Sequence, residues 1–198
     1  REFAGGIGLA ESFGSYEALL ESDGIDAVYV ALPPAMHTGW TVKALGAGKH
    51  VLCEKPFALT AADAERAFGA ADTTGRVCVE GFMYRLHPQA ALVRQLLEQE
   101  AVGSLTFVRA ALSITAPVGD IRRSRQLGGG ALNDLGCYCV SAIRLFAGEP
   151  DRVSAEAVYD EDGVDVQVAA TMRLSSGPLA QFDIGLQHPR RDELELIG

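Results

Sequence analysis

The chain has 198 residues, with 17 Lys or Arg against 26 Asp or Glu, so its formal net charge is −9 at pH 7. Hydrophobic residues make up 48% of the sequence, which is typical of a globular protein that buries its own core. An acidic chain lacks the basic surface that binds nucleic acid or anionic membranes, so neither is expected as a partner. The longest uncharged stretch, residues 27–42, contains two prolines and a histidine and is not expected to span a membrane.

The cysteines indicate a reducing compartment. Cys53, Cys78, Cys137 and Cys139 lie in apolar runs, and no pair has the Cys-x-x-Cys spacing of a zinc or redox site. We interpret them as reduced thiols in the core. Because no signal peptide is recognisable at the start either, we expect a cytoplasmic protein.

The first part of the chain alternates short apolar runs with helical patterns. The runs are rich in β-branched and aromatic residues, as buried parallel strands are, and they occupy residues 25–32, 50–53 and 77–83. Helical patterns follow over residues 36–47, after Thr60 and after His87, and Thr60 is expected to cap its helix together with Asp63. This alternation predicts an α/β domain with a parallel sheet and crossover helices.

After Gly103 the pattern changes to longer alternating strands, with turn sequences between the last three of them. These strands are expected at residues 104–116, 152–159, 164–174 and 178–187. One long helix interrupts them, from about Leu132 to Phe146, and Gly148 closes it. The last residues, 193–198, look like the start of a further strand. The second part is therefore expected to be an α+β domain with a mainly antiparallel open sheet, and the boundary falls within residues 84–104.

Both ends of the chain look incomplete for such an architecture. A doubly wound nucleotide-binding sheet opens with a strand, a glycine-rich turn and a helix, whereas this chain opens with what reads as the end of a helix and a loop. Gly5, Gly6 and Gly8 do not follow a strand and do not match the Gly-x-Gly-x-x-Gly pattern, so we do not expect them to hold a pyrophosphate. We therefore expect a chain that is truncated at both ends.

A first candidate site follows the second predicted strand, at Glu54, Lys55 and Pro56. Ligands of parallel α/β sheets bind outside the carboxyl ends of the strands, and Lys55 is expected at that edge as a fixed cation. The alternative is a surface lysine that pairs with the neighbouring Glu54.

A second candidate site combines the three glycines at residues 128–130 with Asn133, Asp134 and Tyr138. Glycines allow a ligand to approach the backbone closely, and the spacing of four places Asp134 and Tyr138 on one helical face. A carboxylate and a phenol then point the same way. The alternative is a glycine-rich connector, with Asp134 stabilising the helix N-terminus and Tyr138 packing in the core.

A third candidate follows the third predicted strand, at residues 80–88. Its aromatic and basic side chains, Tyr84 and His87 among them, suit either a substrate pocket or the packing of a domain junction. His37, which follows the first predicted strand, is expected to face the ribose or nicotinamide of a dinucleotide.

Together these segments resemble one protein family. The resemblance is to the glucose-fructose oxidoreductase/inositol dehydrogenase (Gfo/Idh/MocA-type) family, and it rests on the strings DAVYVALPPAMHTGWTVKALGAGKHVLCEKPFALT, FMYRLHPQ and GDIRRSRQLGGGALNDLGCYCVSAIRLFAGEP. It covers nearly the whole chain. Tyr138 stands where inositol dehydrogenases have histidine, and in this the chain is similar to the branch of NADP-dependent D-xylose dehydrogenases, dimeric dihydrodiol dehydrogenases and sugar ketoreductases.

The resemblance implies a partial Rossmann-type dinucleotide-binding domain over residues 1–87, which lacks its first strand and glycine-rich loop. It implies a partial α+β domain over residues 88–198, which contacts the substrate and forms a homo-oligomer through its antiparallel sheet. The implied cofactor is NADP or NAD, with NADP favoured, and the residues that select between them lie upstream of Arg1.

The resemblance also assigns residues to the site. Lys55 and Tyr138 are the implied catalytic pair, with Asp134 beside them. The residues implied for the nicotinamide half of the cofactor are Leu32, Pro33, His37, Trp40, Glu54, Lys55, Met83 and Arg85. Those implied for the sugar-like substrate are Tyr84, Arg122, Asp134 and Tyr138. No metal is expected, because no cluster of His, Asp and Glu has the spacing of metal ligands.

The residue types suit this chemistry independently of the resemblance. Oxidation of a sugar hydroxyl removes its proton while hydride leaves for the nicotinamide. A phenol, whose ordinary pKa is about 10, becomes a usable base only when a nearby cation such as Lys55 favours the phenolate. In the reducing direction Tyr138 donates the proton and Lys55 stabilises the developing charge, while Asp134 holds Lys55 or a sugar hydroxyl.

We therefore expect an NAD(P)-dependent oxidoreductase that acts on an aldose or a ketosugar. The alternative reactions are reduction of a nucleotide-linked ketosugar and oxidation of a trans-dihydrodiol. A different class stays open as well, a cofactor-binding regulator or an inactive fragment, because half of the dinucleotide site is absent from the sequence.

Overall fold

The computed structural model describes residues 2–6, 8–9 and 11–198. The chain divides into two compact units, residues 1–32 with 36–81 and residues 33–35 with 82–198. Gly5 and Gly6 lie in a short helix, and Ile7 lies outside the described residues.

The first unit contains a parallel sheet with the strand order β1-β2-β3. Its strands are β1 (Ala27–Val30), β2 (His50–Cys53) and β3 (Cys78–Glu80). The helices of this part of the chain are α1 (Glu2–Gly6), α2 (Tyr16–Leu20), α3 (Pro34–Gly46) and α4 (Ala61–Thr74). The predicted alternation of strand and helix is confirmed, and β2 covers the predicted residues.

The start of α4 shows why local sequence predicts this unit well. Thr60 Oγ1 accepts a hydrogen bond from the Asp63 N–H at 3.1 Å and donates to Asp63 Oδ2 at 2.8 Å, as the capping pattern predicts. The apolar side of α4 then packs on the sheet. The buried core of the unit consists of Val30, Ala44, Leu45, Val51, Cys53, Phe57, Ala67 and Ala71.

The second unit is built on a sheet with the strand order β5-β6-β7-β4-β8. Its strands are β4 (Phe107–Thr115), β5 (Pro150–Tyr159), β6 (Asp165–Leu174), β7 (Leu179–Gly185) and β8 (Gln187–Ile197). Neighbouring strands are antiparallel except β4 and β7, which are parallel. The predicted open, mainly antiparallel sheet is confirmed, with this one parallel pair as an addition.

The helices of this unit connect the strands. They are α5 (Pro88–Glu98), α6 (Cys137–Ala147), a π-helical turn (Leu132–Gly136) and 3₁₀ turns at Met83–Leu86, Ile121–Arg123 and Arg125–Leu127. Of these, α6 with the turn that precedes it covers one face of the sheet. Alternate residues of β6 are buried, from Val166 to Leu174, as expected for a strand with one covered face. These buried residues of β6 pack against Leu135 and Ile143 of the helical layer and form part of the core of the unit.

Two predictions for the second unit were wrong. A strand was expected only to begin at residue 193, but β8 begins at Gln187 and pairs with β4 over most of its length. Pro189 and the charged residues after it concealed this strand. They are tolerated because β8 is an edge strand of the sheet, where a proline without a backbone N–H does not break the pairing of two strands and charged side chains can reach solvent.

The second error concerns only the helical spacing: the long helix lies where it is predicted, from about Leu132 to Phe146 with Gly148 as its end, but the α-helical spacing assumed for Asp134 and Tyr138 does not hold throughout. The first turn of this helix, Leu132–Gly136, is π-helical, and the α-helix begins only at Cys137. A π turn carries one extra residue and is frequently found at functional sites.

The buried cysteines give a first testable prediction. Each cysteine is a free thiol, and burial raises the pKa of Cys53 to about 11 and that of Cys139 to about 12. Because the thiolate is the reactive form, we expect both to resist iodoacetamide at about pH 8 in the folded protein and to react once it is unfolded in denaturant. Mass spectrometry of the labelled peptides measures this, and rapid labelling of Cys53 in the folded protein would contradict it.

Candidate functional site

The carboxyl edge of the parallel sheet carries the first group of candidate residues. Chain segments leave this edge after β1, β2 and β3, and they stay close to one another: the Glu54 N–H donates to the Val30 carbonyl at 2.9 Å, and the Gly81 N–H donates to the Cys53 carbonyl at 2.7 Å. Lys55, which follows directly, is half-buried, and its peptide bond to Pro56 is cis. The structure therefore places Lys55 at the edge where the sequence predicts it.

Glu54 is held by two contacts at this edge. Its carboxylate accepts a hydrogen bond from the Tyr29 hydroxyl, and its Oε2 accepts one from the Lys55 backbone N–H at 3.2 Å. The carboxylate also raises the pKa of the Tyr29 phenol, because the hydrogen bond favours the protonated form.

His37 lies at the same edge, in the first turns of α3. Its side chain is 1% exposed, and its two ring nitrogens lie 2.8 Å from the Pro56 carbonyl and 2.6 Å from the Leu32 carbonyl. Its polar atoms thus contact the backbone on either side of the edge. A buried imidazole needs such partners, which is why it is stable there. A contact of His37 with the cofactor stays a prediction.

Trp40 lies one turn further along α3. Its ring contacts Tyr16 edge-on with centroids 4.8 Å apart, and Lys43 Nζ lies 4.0 Å from its centroid. Leu32 and Pro33 are half-buried at the end of β1 and the start of α3. Whether these residues touch a cofactor stays a prediction from the resemblance.

In the second unit, the three glycines form a tight connection before the π turn. The Gly130 N–H donates to the Arg122 carbonyl at 2.8 Å, and a side chain at Gly129 would collide with that same carbonyl. Gly130 has a φ of 126°, which favours glycine, and it lies against the carboxylate of Asp165. The glycines therefore allow close approach, but the partner that approaches is the protein's own backbone and a carboxylate.

Asp165 caps the helical layer from a distant strand. Its Oδ2 accepts a hydrogen bond from the Leu132 N–H at 2.6 Å, at the first residue of the π turn. This satisfies one of the donors that a helix N-terminus leaves without a partner. Asn133 completes the connection, because its Nδ2 donates to the Gly128 carbonyl at 3.2 Å.

Replacement of Asp165 tests the electrostatics of this cap. Burial raises the pKa of the Asp165 carboxyl, although the Leu132 N–H acts against the rise. A carboxyl whose pKa is raised on folding contributes stability at acid pH that is lost as the pH rises through its folded pKa. We therefore expect the stability of Asp165→Asn relative to the unaltered protein to improve between about pH 3 and pH 7, as measured by urea unfolding.

An alanine control separates the charge from the hydrogen bond. Asp165→Ala removes the acceptor for the Leu132 N–H and is expected to cost about 1–2 kcal/mol near neutral pH. Equal pH dependence in the asparagine variant and the unaltered protein would contradict the electrostatic explanation.

Arg122 joins two carboxylates close to the π turn. Its Nε donates to Asp134 Oδ2 at 2.8 Å, and its Nη1 lies 3.2 Å from both oxygens of Asp120. Two residues that the resemblance assigns to the substrate, Arg122 and Asp134, therefore contact each other directly. The ion pair fixes the orientation of the Asp134 carboxylate, which the spacing to Tyr138 alone does not determine.

Tyr138 lies in the first turn of α6 within an aromatic group. Its hydroxyl donates to Met83 Sδ at 3.7 Å, and its ring is 5.4 Å from Phe82 and 6.1 Å from Tyr84, measured between centroids. Met83 itself is 67% exposed. The sequence segment after β3 and the helix of Tyr138 are therefore brought together, and Arg85 is exposed beside them.

The Tyr84 side chain is half-buried and hydrogen-bonded within the protein. Its hydroxyl donates to Ser141 Oγ on α6 at 2.7 Å, and burial raises the pKa of its phenol. This contact supports the packing interpretation for Tyr84, whereas its assignment to the substrate stays a prediction.

Sequence reasoning missed three residues that shape these sites. Glu80 accepts a hydrogen bond from the Phe57 N–H at 2.8 Å, Asp120 holds Arg122, and Asp165 caps Leu132. Asp120 was within reach, because an aspartate before a short helical turn is a capping signal. Glu80 and Asp165 contact residues that lie 23 and 33 positions away in the sequence, and no local sequence pattern predicts such contacts.

Within the described residues, no group of three or more His, Cys, Asp or Glu side chains is arranged to hold a metal ion. Across the same part of the chain, every helix is too short or too polar to cross a membrane.

The fold and the family models together define the class of the protein. A parallel α/β unit binds ligands at the carboxyl ends of its strands, which is where Glu54 and Lys55 lie. The family model "Oxidoreductase family, NAD-binding Rossmann fold" matches residues 2–82, and the model "GFO/IDH/MocA C-terminal domain" matches residues 90–198. The chain belongs to the GFO/IDH/MocA oxidoreductase family.

Relatives of known activity support this membership. The chain is 39% identical over 186 residues to "D-xylose 1-dehydrogenase (NADP(+)) 2" of Haloferax volcanii, covering 92% of this chain and 57% of the relative. It is 39% identical over 186 residues to "dTDP-3,4-didehydro-2,6-dideoxy-alpha-D-glucose 3-reductase" of Actinomadura kijaniata, covering 92% of this chain and 56% of that protein. The chain thus spans less than two thirds of the length of either relative.

A solved structure extends the similarity to the whole chain. It is that of a 3-ketoreductase from Actinomadura kijaniata in complex with NADP and TDP-benzene, which matches with a TM-score of 0.93 and 37% sequence identity. The match covers 100% of this chain and 61% of that chain.

Proposed function

We propose that the protein transfers hydride between NAD(P) and a hydroxyl or carbonyl group of a sugar. The observation that carries this proposal is the similarity of the whole chain to a 3-ketoreductase whose solved structure contains NADP. The D-xylose dehydrogenase relative carries NADP in its name, which favours NADP over NAD for this protein as well.

The residues at the carboxyl edge of the parallel sheet fit the nicotinamide half of the cofactor. Leu32, Glu54 and Lys55 are all partly accessible, and Gly81 has no side chain that could narrow the edge. A Cβ at Gly81 would lie only 3.2 Å from the Cys53 carbonyl, so the segments after β2 and β3 approach each other as closely as glycine permits. When bound there, NAD(P) supplies or accepts the hydride.

Tyr138 is the proposed acid and base of this reaction. As the phenolate it takes the proton of the sugar hydroxyl in oxidation, and as the neutral phenol it donates a proton to the carbonyl oxygen in reduction. Lys55 is the proposed supporting cation, which stabilises negative charge on the reacting oxygen. Asp134 is proposed to orient the substrate, with its carboxylate held by Arg122 at 2.8 Å.

Binding and turnover together test the proposal. NADPH and NADH are titrated into the protein by calorimetry, and turnover is then followed by the absorbance of the NADPH that forms when NADP⁺ is supplied with D-xylose or another aldose. Saturable binding with turnover of a sugar is the expected result, and tighter binding of NADPH than of NADH is expected with it. Binding without turnover of any sugar would favour a cofactor-binding regulator, and absence of binding would contradict the proposal.

A nucleotide-linked ketosugar is the second candidate substrate. It is favoured by the 3-ketoreductase structure, which contains TDP-benzene, and by the identity to a dTDP-ketosugar reductase. A competition experiment separates the two candidates, because thymidine diphosphate is expected to inhibit only an enzyme that recognises the nucleotide.

We further propose a cytoplasmic homo-oligomer that forms through the open face of the second sheet. Strand β5 is exposed along nearly its whole length, and Val158, which pairs with the exposed Gln167 of β6, lies on the face of the sheet away from the core. Apolar side chains on an uncovered sheet favour contact with another protein surface. Sedimentation equilibrium of the protein measures the oligomeric state directly.

A further inference from the structure

Both backbone hydrogen bonds of the sheet and contacts from side chains hold the segment that carries Lys55, residues 54–57. Backbone hydrogen bonds anchor only its start, through the Glu54 N–H to the Val30 carbonyl at 2.9 Å. Beyond that point the segment leaves the ladder of β2, and Pro56 has no N–H to offer. Something else must therefore fix the backbone on the C-terminal side of Lys55.

His37 contacts the segment from α3. Its Nδ1 lies 2.8 Å from the Pro56 carbonyl, and its Nε2 lies 2.6 Å from the Leu32 carbonyl. Carbonyl oxygens only accept hydrogen bonds and a neutral imidazole carries a single N–H, so the ring donates to one of these carbonyls, and we assign that donor to Nδ1, which faces the Pro56 carbonyl. One imidazole thus ties the residue after Lys55 to the chain segment that follows β1, and its complete burial leaves it no other polar partner than protein.

Glu80 contacts the segment from the opposite neighbour, at the last residue of β3. Its Oε1 accepts a hydrogen bond from the Phe57 N–H at 2.8 Å. A carboxylate that accepts from a backbone N–H forms one of the stronger hydrogen bonds in proteins. The Phe57 side chain is buried in the core and stacks on Phe68 with ring centroids 4.6 Å apart, so the backbone at Phe57 is fixed from both sides.

Tyr29 completes the arrangement at the N-terminal side of Lys55. Its hydroxyl donates to the Glu54 carboxylate, whose other oxygen accepts the Lys55 backbone N–H at 3.2 Å. The residues immediately before and after Lys55 are therefore bound by side chains that come from three separate elements, β1, α3 and β3.

We propose that His37 and Glu80 are positioning residues of the reaction, which hold the backbone on the C-terminal side of Lys55 so that its ammonium group keeps one place at the edge of the sheet. Neither residue needs to touch substrate or cofactor. This inference rests on the proposed function, since it assumes that Lys55 takes part in catalysis. A displacement of about 1 Å in a catalytic group can lower a rate by about a hundredfold, so the contacts matter beyond their share of stability.

The experiment compares Glu80→Ala with Glu80→Gln as its matched control. The glutamine amide keeps an oxygen that accepts from the Phe57 N–H, and alanine removes it. Amide hydrogen exchange at Phe57, measured by NMR on the protein without cofactor, is expected to be about tenfold faster in Glu80→Ala and close to normal in Glu80→Gln. In sugar turnover, Glu80→Ala is expected to lower kcat at least about tenfold with little change in the KM for the sugar. Glu80→Gln is expected to retain most of the kcat of the unaltered protein.

The His37 contact is measured on the unaltered protein, so it does not depend on whether a variant folds. The ¹⁵N chemical shifts of the His37 ring report which nitrogens carry a proton. A protonated Nδ1 is expected, because it donates to the Pro56 carbonyl, and an unprotonated Nδ1 would overturn this half of the proposal.

The remaining outcomes separate this inference from the proposed function. Unchanged exchange at Phe57 in Glu80→Ala overturns the proposed contact. Faster exchange with an unchanged kcat, in a protein that loses activity in Lys55→Ala, overturns the positioning role and leaves the proposed function intact. Full activity in Lys55→Ala overturns the proposed role of Lys55, on which this inference rests. Absence of sugar turnover in the unaltered protein overturns the proposed function itself, and the exchange rates at Phe57 remain informative in that case because they do not depend on turnover.

Discussion

Tyr138→Phe is expected to lower the rate of hydride transfer by about 10³-fold, with cofactor binding unchanged. The substitution removes only the hydroxyl, and general acid–base catalysis contributes about 10²–10⁴-fold to a rate. The ring keeps its contacts with Phe82 and Tyr84, which lie 5.4 Å and 6.1 Å from it, so the helix layer is expected to remain folded. Single-turnover kinetics with NADPH and a ketosugar measure the effect on the chemical step.

The matched control is Tyr159→Phe, which removes the hydroxyl of an exposed tyrosine on β5. Its rate is expected to equal that of the unaltered protein. If Tyr138→Phe retains the normal rate as well, then the proton comes from another group and the proposed mechanism is wrong.

Lys55→Ala is expected to reduce kcat by about 10²–10³-fold, the loss typical when one charged group that stabilises the transition state is removed. The effect falls on kcat more than on the KM for the sugar, because the negative charge on the reacting oxygen develops only as the reaction proceeds. The variant is expected to fold, since the anchors of the segment are the backbone of Glu54 and the contacts of Pro56 and Phe57.

Lys43→Ala is the control for the loss of a lysine charge. Lys43 is exposed, forms a weak ion pair with Glu17 at 3.5 Å and contacts the Trp40 ring with its Nζ, so its removal is expected to leave kcat unchanged and to affect at most the affinity for the cofactor. Steady-state kinetics over a range of salt concentrations separate the local effect of Lys55 from a change in net charge. Equal losses in both variants would contradict a specific role for Lys55.

Much of the fold follows from local sequence, and the exceptions have physical causes. The strand β2 and the cap at Thr60 are encoded within a few residues, by an apolar run between charged neighbours and by a threonine three residues before an aspartate. The strand β8 was missed because its sequence shows the features of a sheet edge, a proline and a dense set of charges, in place of an alternating apolar pattern.

The site is predicted less completely than the fold, because its residues act over long distances in sequence. The position of Lys55 at the end of β2 follows from the strand pattern. The side chains that hold its segment do not, since His37 and Glu80 lie 19 and 23 residues from their backbone partners, Pro56 and Phe57. A histidine after a strand looks the same in sequence whether it faces a ligand or is buried against carbonyl groups.

The π turn at Leu132–Gly136 sets the angular phase between Asp134 and Tyr138. Successive residues of an α-helix are turned by about 100° around its axis, so deleting one residue between these two positions rotates one of the side chains by roughly that angle relative to the other. Such a deletion could relax the turn into regular helix and keep the layer well packed. The π turn therefore sets the direction of the Asp134 side chain relative to that of Tyr138, and it does so by widening one turn of the helix rather than by breaking the helix.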